Sequence, residues 1–450
     1  MHLETLTPSH PLQASLPLAG PIFDPQQWPF ALQWLPDSAY LVGGSVRDAL
    51  LGRATDHIDL DFVLAEKAVE TARAIAKHYR TGFVVLDAER HIARVVFDGA
   101  TADFAQQVGD SLEEDLQRRD FRVNAIAYHP HTRQLIDPLN GYLDLKQGIL
   151  RMVSATNLQD DPLRLLRAYR QSAQLGFTVD GETHAYIRQF APLLHQIAPE
   201  RVHAELSYLL TSATGSTMLT QAWVDGLLLP WLPHANTLGL ERVRQIDHGL
   251  ATICPNCPEF AAVASSWVTD QHRAAGAGRS WIKSAKLACL VSLKAKEAES
   301  QLWGLKCSRS EVQAVLTVLR WLPTLEGNTP IGKALRHHSL TSDHRAQFFF
   351  FRDIGAAFPA VALMALALDH STDVILSLIQ RFLDPENPIA HPNPIITGHA
   401  LTQALQLKPG PIIGRLLEQL AIAHAEGAIA THDQALDYAR HIIANLTPND

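Results

Sequence analysis

Cysteine is scarce, with four in 450 residues. That density excludes a disulfide-built scaffold. Cys254 and Cys257 form a CxxC, but Cys289 and Cys307 supply no second pair, so the expectation is a loop with reduced thiols and no zinc. No apolar run reaches the length needed to span a membrane, so no membrane partner is expected. A basic region followed by an apolar core is missing at the start, so a cytoplasmic protein is expected. Positive charge is also short: 38 Lys and Arg stand against 46 Asp and Glu, a net charge of -8. Proteins that grip nucleic acid usually carry basic surface, because phosphate neutralisation dominates affinity. An acidic total still permits a local basic groove. Arg118, Arg119, Arg122, Lys146, Arg151, Arg164, Arg167, Arg170 and Arg188 lie close together in sequence, either as such a groove or as a solvated face. With 47% apolar and 19% charged residues, the composition is that of an ordinary globular chain, long enough for more than one domain.

The most informative stretch runs from Tyr40 to Phe62. Tyr40-Leu41-Val42 reads as a buried strand. Gly43 and Gly44 follow, where the backbone must turn tightly or approach something closely. A short helical pattern occupies Val46 to Leu51. Ile58-Asp59-Leu60-Asp61-Phe62 then alternates as a strand, which puts Asp59 and Asp61 on one face and the apolar residues on the other. Two adjacent carboxylates repel unless a divalent cation, usually Mg²⁺, sits between them. The plain alternative is a solvated edge strand, and the upstream Gly-Gly turn and Arg47-Asp48 pair favour the metal-nucleotide reading.

Residues 1–36, with prolines at Pro8, Pro11, Pro17, Pro21, Pro25, Pro29 and Pro36, read as an extended, poorly ordered leader, with Gln26 to Trp34 as a short helix. Glu66 to Tyr79 has helical spacing. Phe83–Leu86, Ile92–Phe97 and Ala100–Phe104 read as strands, the last holding Asp103. Ser111, with Glu114 three residues on, predicts a capped helix. Asp144 is placed to cap a helix after the Asp137-Pro138-Leu139-Asn140-Gly141 turn. Ile149 to Val153 reads as the last strand of the first domain. From about residue 156 the pattern is helical throughout, with Pro162 in a first turn capped by Asp160 or Asp161. Helices alternating with strands around a mixed sheet indicate an α/β or α+β head, and the helical remainder makes the whole an α+β multidomain chain, a mixed-sheet head with helices followed by all-α segments.

Five segments together resemble the bacterial and eukaryotic tRNA nucleotidyltransferases, the enzymes that build or repair the tRNA 3′ CCA end. They are Gly43-Gly44-Ser45-Val46-Arg47-Asp48 with Asp59-Leu60-Asp61; Arg118-Arg119-Asp120-Phe121-Arg122-Val123-Asn124-Ala125; Asp137-Pro138-Leu139-Asn140-Gly141 with Asp144-Leu145; Asp160-Asp161-Pro162-Leu163-Arg164-Leu165-Leu166-Arg167; and Ala198-Pro199-Glu200-Arg201-Val202-His203-Ala204-Glu205-Leu206. Ile396 to Arg440, with Lys408-Pro409-Gly410-Pro411, is similar to the family's tail. The sequence departs from the pattern at Arg122 (usually Thr), Asp160 (often Glu) and Gln171 (often aromatic). The resemblance implies a leader over 1–36, a nucleotidyltransferase head over 37–153, a neck over 154–214, a body over 215–390 and a tRNA-binding tail over 391–450.

It also implies a reaction. An RNA 3′ hydroxyl attacks the α-phosphate of CTP or ATP and releases pyrophosphate, with Mg²⁺ held by Asp59 and Asp61. Asp103 is the candidate for a third carboxylate; its plain alternative is a strand-end Asp bound to its own turn. Gly43 and Gly44 would admit the triphosphate, and Arg47 and Arg119 would offer forked donors to it, unless they pair with Asp48 and Asp120 instead. Asn124 and Arg167 are further nucleotide-binding candidates. Asp161 and Arg164 would read the base: a carboxylate accepts from the amino group of cytosine or adenine and meets a carbonyl in uracil or guanine. The alternative is a surface salt bridge.

Rival readings fare worse. A bacterial poly(A) polymerase typically carries a basic stretch after the DxD, whereas this chain reads Phe83-Val84-Val85-Leu86-Asp87-Ala88-Glu89-Arg90. A non-catalytic tRNA-binding protein would have lost a metal carboxylate, and both are intact. His337-His338 and Asp343-His344 do not form a phosphohydrolase His-Asp site. The connection Ala105-Gln106-Gln107-Val108-Gly109-Asp110 is short, with little room for the mobile loop that helps such pockets switch from CTP to ATP. CC addition is therefore expected as the main activity, with a separate A-adding enzyme as partner.

Overall fold

The computed structural model describes residues 18, 20–53, 57–212, 214–265, 267, 279–327, 329–336, 340, 343–408 and 410–444. Pro8, Pro11, Pro17, His337, His338 and Pro409 lie outside them. These residues form two compact units. One runs to Ile197 and is completed by Val224–Leu227; the other comprises Ala198–Trp223 and the chain from Leu228 onward.

The first unit is built on a mixed sheet. Its strands are β1 (Ala39–Val42), β2 (Ile58–Leu64), β3 (Gly82–Asp87), β4 (Ile92–Phe97), β5 (Ala100–Gln106), β6 (Ala127–His129) and β7 (Gln134–Ile136). They are ordered β3-β4-β5-β2-β1-β6-β7, with β2 and β5 parallel and the other neighbours antiparallel. The helices of this unit are α1 (Gly44–Leu50), α2 (Ala68–Tyr79), α3 (Leu112–Gln117), α4 (Gly141–Gln147), α5 (Ala155–Asp160), α6 (Leu163–Leu175) and α7 (Gly181–Phe190).

Strand alternation decides what β2 does. Leu60, Phe62 and Leu64 are buried. Phe62 stacks on Phe104 of β5, its partner in register, and meets Trp28 and Phe30 edge-on. Burying such a ring stabilises by about 2 kcal/mol. The opposite face of β2 carries Asp59 and Asp61, with Val63 continuing into a cluster of Val42, Leu112, Leu116, Ala125 and Ala127.

Four expectations are corrected. The described part of the leader is not poorly ordered: Ile22, Phe23, Trp28 and Phe30 are buried, and the Tyr128 hydroxyl donates to the Phe23 carbonyl. Gln26 to Trp34 is not one helix but short 3-10 turns, Pro25–Gln27 and Leu32–Trp34, because the prolines interrupt the ladder. Asp144 caps nothing; it lies inside α4 and pairs with Arg151, while Asp137 accepts from the backbone of Gly141 and Tyr142. Ile149–Leu150 does not join the sheet, since it pairs as β8 with β9 (Thr178–Val179) in a separate two-stranded ribbon. Gly141 is obligatory there, because a Cβ would collide with the Arg122 carbonyl.

Ser111 caps α3 as expected, accepting from the Glu114 N–H. The Glu114 carboxylate reaches back to Asp110 N–H, one residue before the cap. The first unit closes on Asp225, which accepts from the Tyr169 hydroxyl and lies 2.7 Å from His184 Nε2.

The second unit is helical. The stretch His344–Ala367 is long and apolar enough to cross a membrane by composition alone, but Phe358–Ala367 is almost wholly buried in protein. Cys254 ends the helix Thr237–Ile253, and all four cysteines are free. The C-terminal helices Gly398–Leu405, Pro411–Ala425 and His432–Ala444 share a small core of Leu401, Leu416, Leu420, Ala435 and Ala439.

Two lysines on the helix Trp281–Ala288 are buried. Lys286 lies 2.6 Å from Asp247 and donates to the Leu210 carbonyl at 2.7 Å. Lys283 pairs with Glu311, which also completes the cap at Ser308. Removing one partner of a buried pair leaves an uncompensated charge. Glu311→Ala is therefore expected to destabilise this unit by about 3–5 kcal/mol, read as a fall in the urea midpoint of helical circular dichroism. A loss under about 1 kcal/mol, the scale of an exposed pair, would contradict this account.

Candidate nucleotide site

Gly43 turns the chain from β1 into α1 with φ 80°, a conformation open to glycine and strained for other residues. The turn brings Gly43, Gly44 and Arg47 to one rim of a cleft of about 430 Å³ that is also lined by Asp61, Arg119, Asp120, Asn124, Asp161, Arg164, Arg167, Arg170 and Gln171. Nine of the residues expected from sequence meet here. Asp59 lines an adjoining hollow that shares Gly44 and Asp61 with the cleft. Asp103 lies beside Asp61 in the β2–β5 register.

Five arginines face three aspartates across this cleft. Arginine is thus concentrated locally inside a chain of net charge -8.

The carboxylates differ in state. Asp61 is pushed up to about 6, first by burial and then by Asp103, with Arg119 opposing and Asp59 adding to the rise. Asp59 accepts from the Thr101 hydroxyl at 2.5 Å and has His57 at 3.4 Å. Asp103 is gripped by Arg94, which donates to its two oxygens at 2.6 and 2.8 Å. Arg94 was not foreseen, although the β4–β5 hairpin sets it directly opposite Asp103. Two carboxylates on one strand face, one held against its preferred charge state, are a hard-oxygen donor set that fits a divalent cation. Among the described residues there is no ready group of three protein ligands, so other positions would fall to water and substrate oxygens.

The arginines are already engaged. Arg47 donates to both oxygens of Asp48 at 2.9 and 2.8 Å and to Asn124 Oδ1 at 2.7 Å. Arg119 pairs with Asp115 at 3.0 Å and not with Asp120, the alternative partner considered for it. It is Arg167 whose Nε lies 3.3 Å from Asp120. Arg164 donates to the Asn157 carbonyl at 3.1 Å, and burial lowers the pKa of its guanidinium. The cap position expected at Asp160 or Asp161 falls on Pro162, which precedes α6 and makes no side-chain cap bond, while Asp160 ends α5. Asp161 sits in the turn between them, its backbone carbonyl accepting from Arg164 N–H at 3.0 Å.

Asp120, Asn124 and Gln171 are buried at the floor. The Asn124 amide donates to Asp120 Oδ1 at 2.8 Å and to Gln171 Oε1 at 3.0 Å, and Gln171 Nε2 donates to Asp120 Oδ2 at 3.3 Å. Arg170 and Gln171 were not read as site residues. Both follow from Arg167 by helical spacing, since positions three and four apart share a face.

The chain matches known families over most of its length. Residues 39–108 and 98–151 match the Poly A polymerase head domain, 176–238 the RNA and SrmB-binding site of polymerase A, and 281–439 the tRNA nucleotidyltransferase domain 2. A CC-adding tRNA nucleotidyltransferase of Synechocystis sp. is 47% identical over 421 residues, 93% of this chain and 96% of the relative. An A-adding tRNA nucleotidyltransferase of Deinococcus radiodurans is 32% identical over 422 residues, covering 89% and 94%. A CCA-adding enzyme solved in complex with ATP shares the fold at TM-score 0.68 and 20% identity, over 90% of this chain and 91% of that one. Head strands, motif spacing and whole-length identity agree, and the chain belongs to the tRNA nucleotidyltransferase family.

Proposed function

We propose that this chain extends the 3′ end of tRNA without a template, using CTP, with CC addition as its main activity and a separate A-adding enzyme supplying the terminal residue from ATP. The observation that carries the reading is the single cleft that joins Asp61 and the Gly43–Arg47 turn to Asp161 and Arg164. It provides an anion-binding end and a base-reading end within one continuous space. A poly(A) polymerase is not favoured, since the relatives matched along the whole chain add CC, A or CCA.

Nucleotidyltransferases of this family generally use divalent metal ions. In this chain Asp59 and Asp61 are the residues to hold Mg²⁺, which when bound neutralises charge on the attacking and leaving oxygens. Asp103 can serve as a third ligand, since Arg94 takes one hydrogen bond at each of its oxygens and leaves a lone pair on each. Gly43 and Gly44 leave the backbone open beside the triphosphate, and Arg47 and Arg119 aim donors at its oxygens. Asn124 and Arg167 orient the nucleotide. Asp161 accepts from the exocyclic amino group of the base while Arg164 donates to its ring nitrogen or carbonyl. A base with a carbonyl at that position sets acceptor against acceptor, which is expensive in a buried site. The head over 37–153, the neck over 154–214, the body over 215–390 and the tRNA-binding tail over 391–450 are the matching division of labour, in a cytoplasmic protein.

The CC preference rests on the connection after β5. That strand runs to Gln106, so only Gln107 to Asp110 separate it from the capped helix. Gln107 N–H donates to the Leu64 carbonyl at 2.7 Å, Val108 N–H to Asp115 at 3.2 Å and Asp110 N–H to Glu114 at 2.8 Å. A short segment tied at three points has few conformations in which to reshape a pocket. The 47% identical relative being CC-adding supports the same reading.

Three outcomes are expected. Asp59→Ala and Asp61→Ala each abolish CTP incorporation while tRNA binding by gel shift changes little; near wild-type incorporation by either variant would remove the metal assignment. Asp161→Ala loses discrimination against UTP and GTP, or loses incorporation broadly, with metal binding retained. Wild-type preference and rate in that variant would place base reading elsewhere. Purified wild-type protein extends tRNA ending at the discriminator base by two C residues and stops; efficient ATP incorporation into tRNA ending in CC would refute CC-only addition.

A further inference from the structure

Three buried side chains at the cleft floor close into a ring. Asp120 accepts from Asn124 and from Gln171, and Gln171 accepts from Asn124. The ring has one workable polarity. An ionised carboxylate only accepts, so each amide must turn its nitrogen toward Asp120. Asn124 then has its oxygen left for Arg47, at 2.7 Å, and its second hydrogen for Gln171. The Asn124 amide is nearly symmetric in shape, so hydrogen bonds decide which end faces which neighbour. Flipped, it would set its NH₂ against the Arg47 guanidinium, donor against donor. The far corner of the ring lies next to Arg167, whose Nε is 3.3 Å from Asp120 Oδ2. Gln171 is thus placed between the guanidinium beside the Gly43 turn and the guanidinium on the base-reading helix.

We infer that Gln171 is a positioning residue for nucleotide binding, its amide fixing the direction of Asn124 and, through Asn124 and Asp120, the placement of Arg47 and Arg167. The inference rests on the proposed reading of this cleft as a nucleotide site. Gln171 need not touch the nucleotide. It is 2% exposed, and its polar atoms are spent on Asn124 and Asp120. Losing it costs Asn124 one acceptor and Asp120 one donor inside a buried network, where the remaining groups must shift to recover partners. The shift appears at Arg47 and Arg167, as weaker binding of the incoming nucleotide and poorer selection of its base.

The test uses full-length protein, tRNA ending at the discriminator base, and CTP or UTP. Gln171→Met keeps length and volume but removes the strong donor and acceptor. It is expected to raise KM for CTP about tenfold and to lower the preference for CTP over UTP, changes that a loss of folded fraction alone does not produce. Gln171→Glu gives the sharper readout. With its new carboxyl ionised, it still accepts from Asn124 but repels Asp120; protonated, it offers an O–H to Asp120 and a carbonyl to Asn124, as the amide does. Burial and Asp120 favour the protonated form, while the cleft arginines Arg47, Arg119, Arg164, Arg167 and Arg170 oppose it, and Asp61 and Asp161 also face this space. The ratio of variant to wild-type kcat/KM for CTP should therefore climb as pH is lowered from about 8 to about 6. A residue that only supports folding would alter the active fraction, and with it kcat, without moving KM, so the ratio is taken per folded enzyme, with the folded fraction read by circular dichroism at each pH. Gln171→Met with wild-type KM and preference, or Gln171→Glu with a ratio flat in pH, overturns the inference; if the first variant does not fold, the second decides. The wild-type arm separates the two levels. No CTP incorporation by wild type defeats the nucleotide reading itself, whereas incorporation by wild type with unaffected variants defeats only the role of Gln171.

Discussion

Asp120 has almost no contact with solvent, yet its carboxyl lies below the usual carboxylate range. Burial alone would raise it; Arg167, the Asn124 amide and the Phe121 N–H more than offset that effect. A buried carboxylate of this kind accepts at every lone pair and donates nowhere. Its neighbours must therefore be donors, and their own remaining atoms are assigned in turn. The segment that carries Asp120 is pinned as well, with Val153 N–H donating to the Asp120 carbonyl and Arg122 N–H to that of Arg151. Arg167 beside Asp120, and Arg47 through Asn124, are thereby held in place within the protein itself, and a group placed in advance carries a lower ordering cost on binding.

The same cleft resolves the difficulty raised by composition. Net charge describes the average surface, whereas a polyanion responds to the local field in a concave, partly desolvated space. Five arginines collected from α1, the segment before Phe121 and α6 face that space. Asp48, Asp115 and Asp120 each pair with one of them, holding the guanidinium group in place and offsetting part of its charge.

Much of the head was legible because its signals are local. The β2 alternation, the Gly43 turn, the Ser111 cap and the Ile92–Phe97 strand are each set by neighbours in sequence, and each appears as read. What escaped depends on distant partners. Asp144 has the chemistry of a cap, but Arg151 claims it, and Asp137 takes the capping position. Ile149–Leu150 has strand propensity, yet its partner is Thr178–Val179 and not the sheet. Arg119 stands beside Asp120 in sequence but turns to Asp115, one helical turn back. Asp103 was recognisable as a carboxylate near Asp61. Its engagement with Arg94 required the hairpin register, which alternation alone does not fix. Gln171 was visible only as a departure from a pattern, because the acceptor it satisfies lies 51 residues earlier.

The chain leaves the first unit after Ile197, returns for Val224–Leu227 and leaves again. The returning Asp225 meets the hydroxyl of Tyr169 and the ring of His184, and Tyr169 is 1% exposed. During synthesis the sheet and its helices emerge from the ribosome before that carboxylate exists. Until it arrives, the helix carrying Arg164 and Arg167 has a phenol in an apolar interior without its acceptor. Until then the first unit lacks a buried hydrogen bond whose absence costs about 1–3 kcal/mol. That bond forms only after residues that follow the first helices of the other unit have been translated, so the full stability of the helix lining the cleft depends on segments beyond it.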